Sequence, residues 1–409
     1  MRSKKSWIEL SLIHLMAVSI LGIALRSKIL FSLPFINFDY LRNAHSHFAF
    51  GGWITLSFML IMAYNLLPGR FHEKPVYQWI FRGITFSSWG MLITFPILGY
   101  TFLSIAFSTL FIFITYLFGW CFTKDLLKSD VNKSVRLFAI SSVAFLLLSS
   151  AGPYTLAYLL AEKSRNLILL RDAVFSYLHF QYNGFFTLGV LAILFHSLLP
   201  SASERDKKNI HRLAVWMVIS VVPSLFLSFL WHNPGWLIRS VALAGSLLTG
   251  ISLVCFFIAG MPRLPVTKDT PLLLRGMGLL SMSAFVLKMI LQCLLIFPLI
   301  GNAVFGVRPI IIGFLHLVFL VFVSLFLLAY FAKDGMLHTR NRLMKAGLLV
   351  FTSGAVLIVS LLLVQGLGIL LAKSSHLFPY LHWAASIWIF TGALLMVLGQ
   401  RSKMPVTIR

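Results

Sequence analysis

The chain has 409 residues, of which 59% are hydrophobic and only 11% charged, with a mean hydropathy of +0.91. Soluble domains sit near half apolar and one-quarter charged, so the composition excludes an ordinary soluble enzyme. The formal net charge is +23, but the basic residues lie in short loops between apolar runs. That distribution excludes a nucleic-acid surface and makes the lipid bilayer the partner to expect.

Apolar runs of roughly 20 residues or more fall at about 7–30, 44–66, 78–100, 102–122, 137–161, 173–199, 213–231, 236–260, 272–299, 309–332, 346–371 and 379–399. Backbone in lipid must satisfy its own hydrogen bonds. The runs therefore predict an all-α polytopic bundle of about twelve transmembrane helices, a single transmembrane domain over residues 1–409. The first run is too long for a signal-peptide core and lacks a cleavage site, so it reads as a retained span. The third and fourth are divided only by Gly99-Tyr100-Thr101, a very tight turn. With the N-terminus inside, 24 Lys and Arg fall on the inner side and nine on the outer, and Lys288 alone lies mid-span. This bias predicts cytoplasmic termini in a bacterial-type inner (plasma) membrane. Cys121, Cys255 and Cys293 show neither disulfide nor CxxC spacing and read as packing residues.

Histidines mark one level of this bundle. His45 and His47 open the second run, His179 the sixth and His382 the twelfth; His232 closes the seventh and His316 lies early in the tenth. All fall on the outer side, and histidine is costly in hydrocarbon unless it has a function there. Residues two apart on a helix point about 200° apart, so His45 and His47 cannot share one ligand. His47 is favoured, because Gly51 one turn on leaves a flat space over its ring, with His45 the alternative. His179, Tyr182 and Asn183 share a helix stripe as a lined pocket or a helix–helix hydrogen-bond patch. Gly313 sits one turn above His316. His14, His72, His196, His211 and His338 read as surface or core residues, and His376 as loop. Lys288 and Gln292, at i and i+4, form a mid-bilayer polar face, a candidate proton path or buried polar site. The chain has no phosphate loop, zinc-protease pair or nucleophile elbow.

About twelve helices, a histidine pair entering the second, outer histidines in the sixth, seventh and tenth, and the string Ala44-His45-Ser46-His47 followed by Gly51-Gly52-Trp53 carry a resemblance. Over most of its length the chain resembles haem-copper oxidase subunit I, and is similar to C-type oxidase subunits and the NnrS-type membrane haem proteins linked to nitric oxide. The resemblance implies that His316 and His47 (or His45) bind haem, with His179 and His232 near a second metal. The chain departs from that pattern at three places. The seventh helix has only His232, Phe314 and Val318 stand two residues either side of His316, and Asn183 stands at i+4 from His179. The implied protein is a haem-binding relative with redox chemistry or oxygen or nitric oxide binding; oxidoreductase activity is left open.

On this reading one haem b is held in the outer half by His316 and His47 or His45. Arg42, Arg171, Arg239 and Arg308 lie at the level of its propionates, and Gly51 and Gly313 let it approach the backbone. His179, His232 and His382 line the remaining space, around copper or a bound gas, and an electron-donor protein is a further expected partner. The competing reading is a polytopic permease with a path lined by histidines and Lys288.

Overall fold

The computed structural model describes residues 3–259, 271–373 and 375–402. Arg2, Arg263, Lys268, Lys403 and Arg409, which enter the charge count, lie outside the described residues. Eleven of the described helices are long and apolar enough to cross a membrane. They are α1 (Lys4–Leu30), α2 (Phe38–Leu66), α4 (Phe102–Leu127), α5 (Lys133–Ala161), α6 (Leu167–Ser201), α7 (Glu204–His232), α8 (Trp236–Ile258), α9 (Leu272–Leu294), α10 (Arg308–Lys333), α11 (Arg342–Leu370) and α12 (Leu377–Arg401). Between α2 and α4 lies α3 (Pro75–Leu98), as long as the rest but diluted by Arg82, its serines and two tryptophans. The twelve correspond one to one with the twelve apolar runs. Gly99, at φ 64°, is the pivot that lets α3 end and α4 begin within three residues; a Cβ there would also strike the Tyr40 ring. Most of the helices overrun their apolar runs at one end or both, while α8 and α9 stop short of theirs, at Ile258 and Leu294.

The helices close into a ring, with α12 packed on α1, α4 on α5 and α8 on α9. In each third one helix lies inside, flanked by its chain neighbours: α2 between α1 and α3, α6 between α5 and α7, α10 between α9 and α11. The apolar windows of α2 and α6 are 78% and 72% buried, against 22% for α4 on the rim. Glu9 of α1 receives Arg401 of α12 at 2.7 Å, so the start of α1 and the end of α12 lie at one end of the bundle. The opposite end, where α2, α6, α10 and α12 begin, is the one expected to face outward and is called the outer end below.

The three inner helices share a local device. Each widens into π-helical turns just past its candidate histidines, at Ala49–Thr55, Phe180–Phe186 and Leu317–Ser324. A π turn shifts the hydrogen-bond register and frees backbone carbonyls that burial does not allow to stay unpaired. In each third a side chain from the preceding helix takes one of them. His14 donates to the Gly52 carbonyl, Ser142 to Phe185 and Ser281 to Phe322, each at 2.6 Å. The widened turns then meet on the axis. Phe50 packs on Phe319 (centroids 4.5 Å apart), Phe319 on Phe186, and Trp53 donates to Ser324 at 2.9 Å. π turns recur at functional sites in other proteins, and here all three adjoin the candidate histidines.

Candidate functional site

At 1.5 Å per residue, His45 lies about 10 Å, His316 about 12 Å and His382 about 8 Å below the outer starts of α2, α10 and α12. They converge. His316 is within electrostatic reach of both His45 and His382, and Arg26 of α1 reaches all three. Arg308, at the start of α10, lies near Arg26 in turn and over the Phe38 ring.

The ring nitrogens in this cluster are incompletely used. His316 Nδ1 donates to the Ile312 carbonyl at 2.8 Å, which fixes the tautomer and leaves Nε2 with its lone pair, the usual preparation of a metal-ligating histidine. His45 reaches the Val18 backbone, while its buried Nδ1 has no partner; His382 Nε2 is likewise buried and unpartnered. Among the described residues Arg26 makes no hydrogen bond or ion pair. Free imidazole nitrogens beside the Arg26 and Arg308 guanidinium groups suit a ligand that offers both a metal ion and carboxylates, and the residues therefore fit a haem.

His47 turns away from this cluster. Its ring stacks on Phe95 at 4.5 Å and 11°, and its Nε2 is paired with the Tyr100 hydroxyl at 3.1 Å. Burial pushes the Tyr100 phenol up from its ordinary value, with Arg42 pulling the other way. The two histidines diverge as a helix requires, but the preference for His47 is corrected: His45 is the one that faces His316. Gly51 does not open a flat space either. A Cβ there would meet Ser88 at 2.9 Å and Phe111 at 3.1 Å, so it packs against α3 and α4. Gly313 similarly packs on Leu362 and Leu363 of α11. Both glycines set helix spacing.

The outer arginines also divide. Arg42 pairs with Asp39 at 2.7 Å. Arg171 donates to the Phe305 carbonyl and lies over Trp231, and Arg239 is tied to Pro234 and Asn233 in the α7–α8 turn. Of the four expected, only Arg308 lies near the cluster. Arg26 was missed because it reads as one more basic residue flanking a span.

His179, His232 and His382 are not brought together. α6 starts at Leu167, earlier than its apolar run, which sets His179 about 18 Å deep, a turn or more below His45 and His316. Both its nitrogens are used: Nε2 donates to the Val221 carbonyl at 2.8 Å and Nδ1 accepts from Asn183 at 3.1 Å. His232 Nε2 faces the Asp172 carboxylate at 3.1 Å, and Trp231 donates to the same carboxylate at 2.8 Å. Asp172 is an acid inside α6 that the sequence reading passed over. Among the described residues no group of three or more His, Cys, Asp or Glu could hold a metal ion, the outer cluster included; His179 and His232 are already hydrogen-bonded within the protein, and a second-metal role for them is not carried forward.

Lys288 is fully buried on α9. Its Nζ donates to Thr187 Oγ1 at 2.8 Å and lies 5.8 Å from the Tyr182 ring. Thr187 in turn donates to the Tyr182 carbonyl in the π turn of α6. Tyr182 also packs edge-on against Phe314 of α10. Gln292, 3% exposed, faces the same interior side as Lys288.

No family model matches the chain, and none of the curated proteins does. Among solved structures it matches a haem-copper terminal oxidase determined as a dimer by cryo-EM. The TM-score is 0.65 and the identity 12%, over 98% of this chain and 84% of that one. At that identity the likeness shows architecture alone: the chain is a multi-pass membrane bundle with the haem-copper oxidase subunit I-like fold.

Proposed function

We propose that the protein is a membrane haem protein, holding one b-type haem at the outer end of the bundle and acting in redox chemistry or in binding oxygen or nitric oxide. The observation that carries this reading is the approach of His45, His316 and His382 to Arg26, with His45 Nδ1 and His382 Nε2 buried and without a partner in the protein. His316 and His45 would bind the iron and Arg26 and Arg308 the carboxylates. When bound, the haem supplies electron transfer or gas ligation. His382 stands beside the iron ligands as a third imidazole, and the Phe50, Phe186 and Phe319 rings close the axis below.

Kinship to C-type oxidase subunits or NnrS-type proteins, an electron-donor protein as partner, cytoplasmic termini and the bacterial inner membrane belong to this proposal. The test is the absorption spectrum of the protein purified from haem-replete cells. A Soret band with about one haem per chain is expected. Its absence would return the chain to the permease reading, in which the imidazoles and Lys288 line a transport path.

A further inference from the structure

A second buried polar site lies apart from the histidine cluster, between α6, α7, α8 and α9. Asn183, Ser220, Ser224, Thr249 and Gln292 line a cavity of about 10 Å³. That volume is room for one water. Gln292 is 3% exposed and its Oε1 has no partner within the protein. The three hydroxyls each donate to a carbonyl of their own helix, Ser220 to Met217, Ser224 to Val221 and Thr249 to Gly245. Their protons are spent, and they offer lone pairs to the cavity.

We propose that this chamber binds a single ordered water, which donates to Gln292 Oε1 and to a hydroxyl of α7 or α8 and so ties α9 to one of those helices. The chemistry of the lining selects the occupant. An isolated acceptor buried in hydrocarbon costs about 1–3 kcal/mol, and only a donor relieves it. A diatomic gas would fit the volume but cannot donate. A cation would want a carboxylate, and no Asp or Glu lines the chamber. The remaining wall, with Met217, Val221 and Met289, is apolar and admits no second polar guest.

The site also accounts for the neighbouring histidine. Asn183 spends its amide N–H on His179 Nδ1, so the chamber wall and the His179 ring are held as one unit. His179 is in this account a wall-positioning residue.

The test is a high-resolution map of the whole protein, together with Gln292→Met, which keeps the bulk and removes the acceptor. A density peak within hydrogen-bond distance of Gln292 Oε1 is expected. The variant should lose that peak and melt several degrees lower, because a satisfied group has been removed. Absence of the peak in a map that shows other buried waters overturns the proposal. An unchanged or raised melting temperature overturns it too, since it would mean that Oε1 was never satisfied. If the variant does not fold, the wild-type peak decides alone.

Discussion

The outer cluster and the chamber around His179 are built from the same residue types and end in opposite states. Beside the chamber the basic side chains are satisfied within the protein: His179 uses both nitrogens, one of them on Asn183, and Lys288 has Thr187, so that only Gln292 Oε1 is left over. At the outer cluster His45 and His382 each keep a bare, buried nitrogen beside Arg26. A buried histidine therefore says little about function until its second hydrogen bond is counted. An imidazole bonded at both nitrogens is a strut, whereas a buried bare nitrogen beside other histidines and an arginine is a candidate ligand.

The sharpest way to break this contrast is to remove one histidine from each region. His316→Ala should abolish the Soret band, because the proposed iron site loses its tautomer-fixed ligand. His179→Ala should leave the band in place and lower the melting temperature by opening the chamber wall. A spectrum lost on His179→Ala and kept on His316→Ala would reverse the assignment of the two regions.

Arg26→Gln sharpens the picture of the outer cluster. Removing a cation near the iron favours the oxidised form, so the reduction potential should fall by tens of millivolts, with weaker haem retention. Redox titration of the purified variant checks this, and an unchanged potential would place Arg26 outside the site.

Smaller effects belong to the scaffold. Asp125 is buried at the inner end, taking Lys74 at 2.5 Å and Tyr77 at 3.0 Å. Asp125→Ala should cost about 2 kcal/mol, less than a fully buried pair because Lys74 is partly in solvent. Trp53→Phe removes the bond to Ser324 between two inner helices and should cost about 1 kcal/mol. Thermal melts in detergent read both, and neither should move the spectrum.

The helix count and the turn at Gly99 were legible because both rest on local rules, hydrocarbon thickness and a positive φ. So was the divergence of His45 and His47, which follows from the helical repeat. Which of them faces inward was not legible, because it depends on how α2 rotates against α1 and α3, a tertiary property. Arg26 was hidden for the same reason: four residues from a helix end it looks like an interfacial charge, and only the approach of α10 and α12 makes it a partner to three histidines. The π turns leave no plain signature in these apolar runs, yet their freed carbonyls are what His14, Ser142 and Ser281 are buried to meet.

The central claim is that His45, and not its neighbour two residues on, is the partner of His316. The most direct measurement is low-temperature electron paramagnetic resonance of the oxidised protein, with His45→Ala and His47→Ala compared side by side. The account predicts a low-spin bis-histidine signal that survives His47→Ala and turns high-spin or disappears with His45→Ala. Loss of the signal with His47→Ala and its survival with His45→Ala would contradict it.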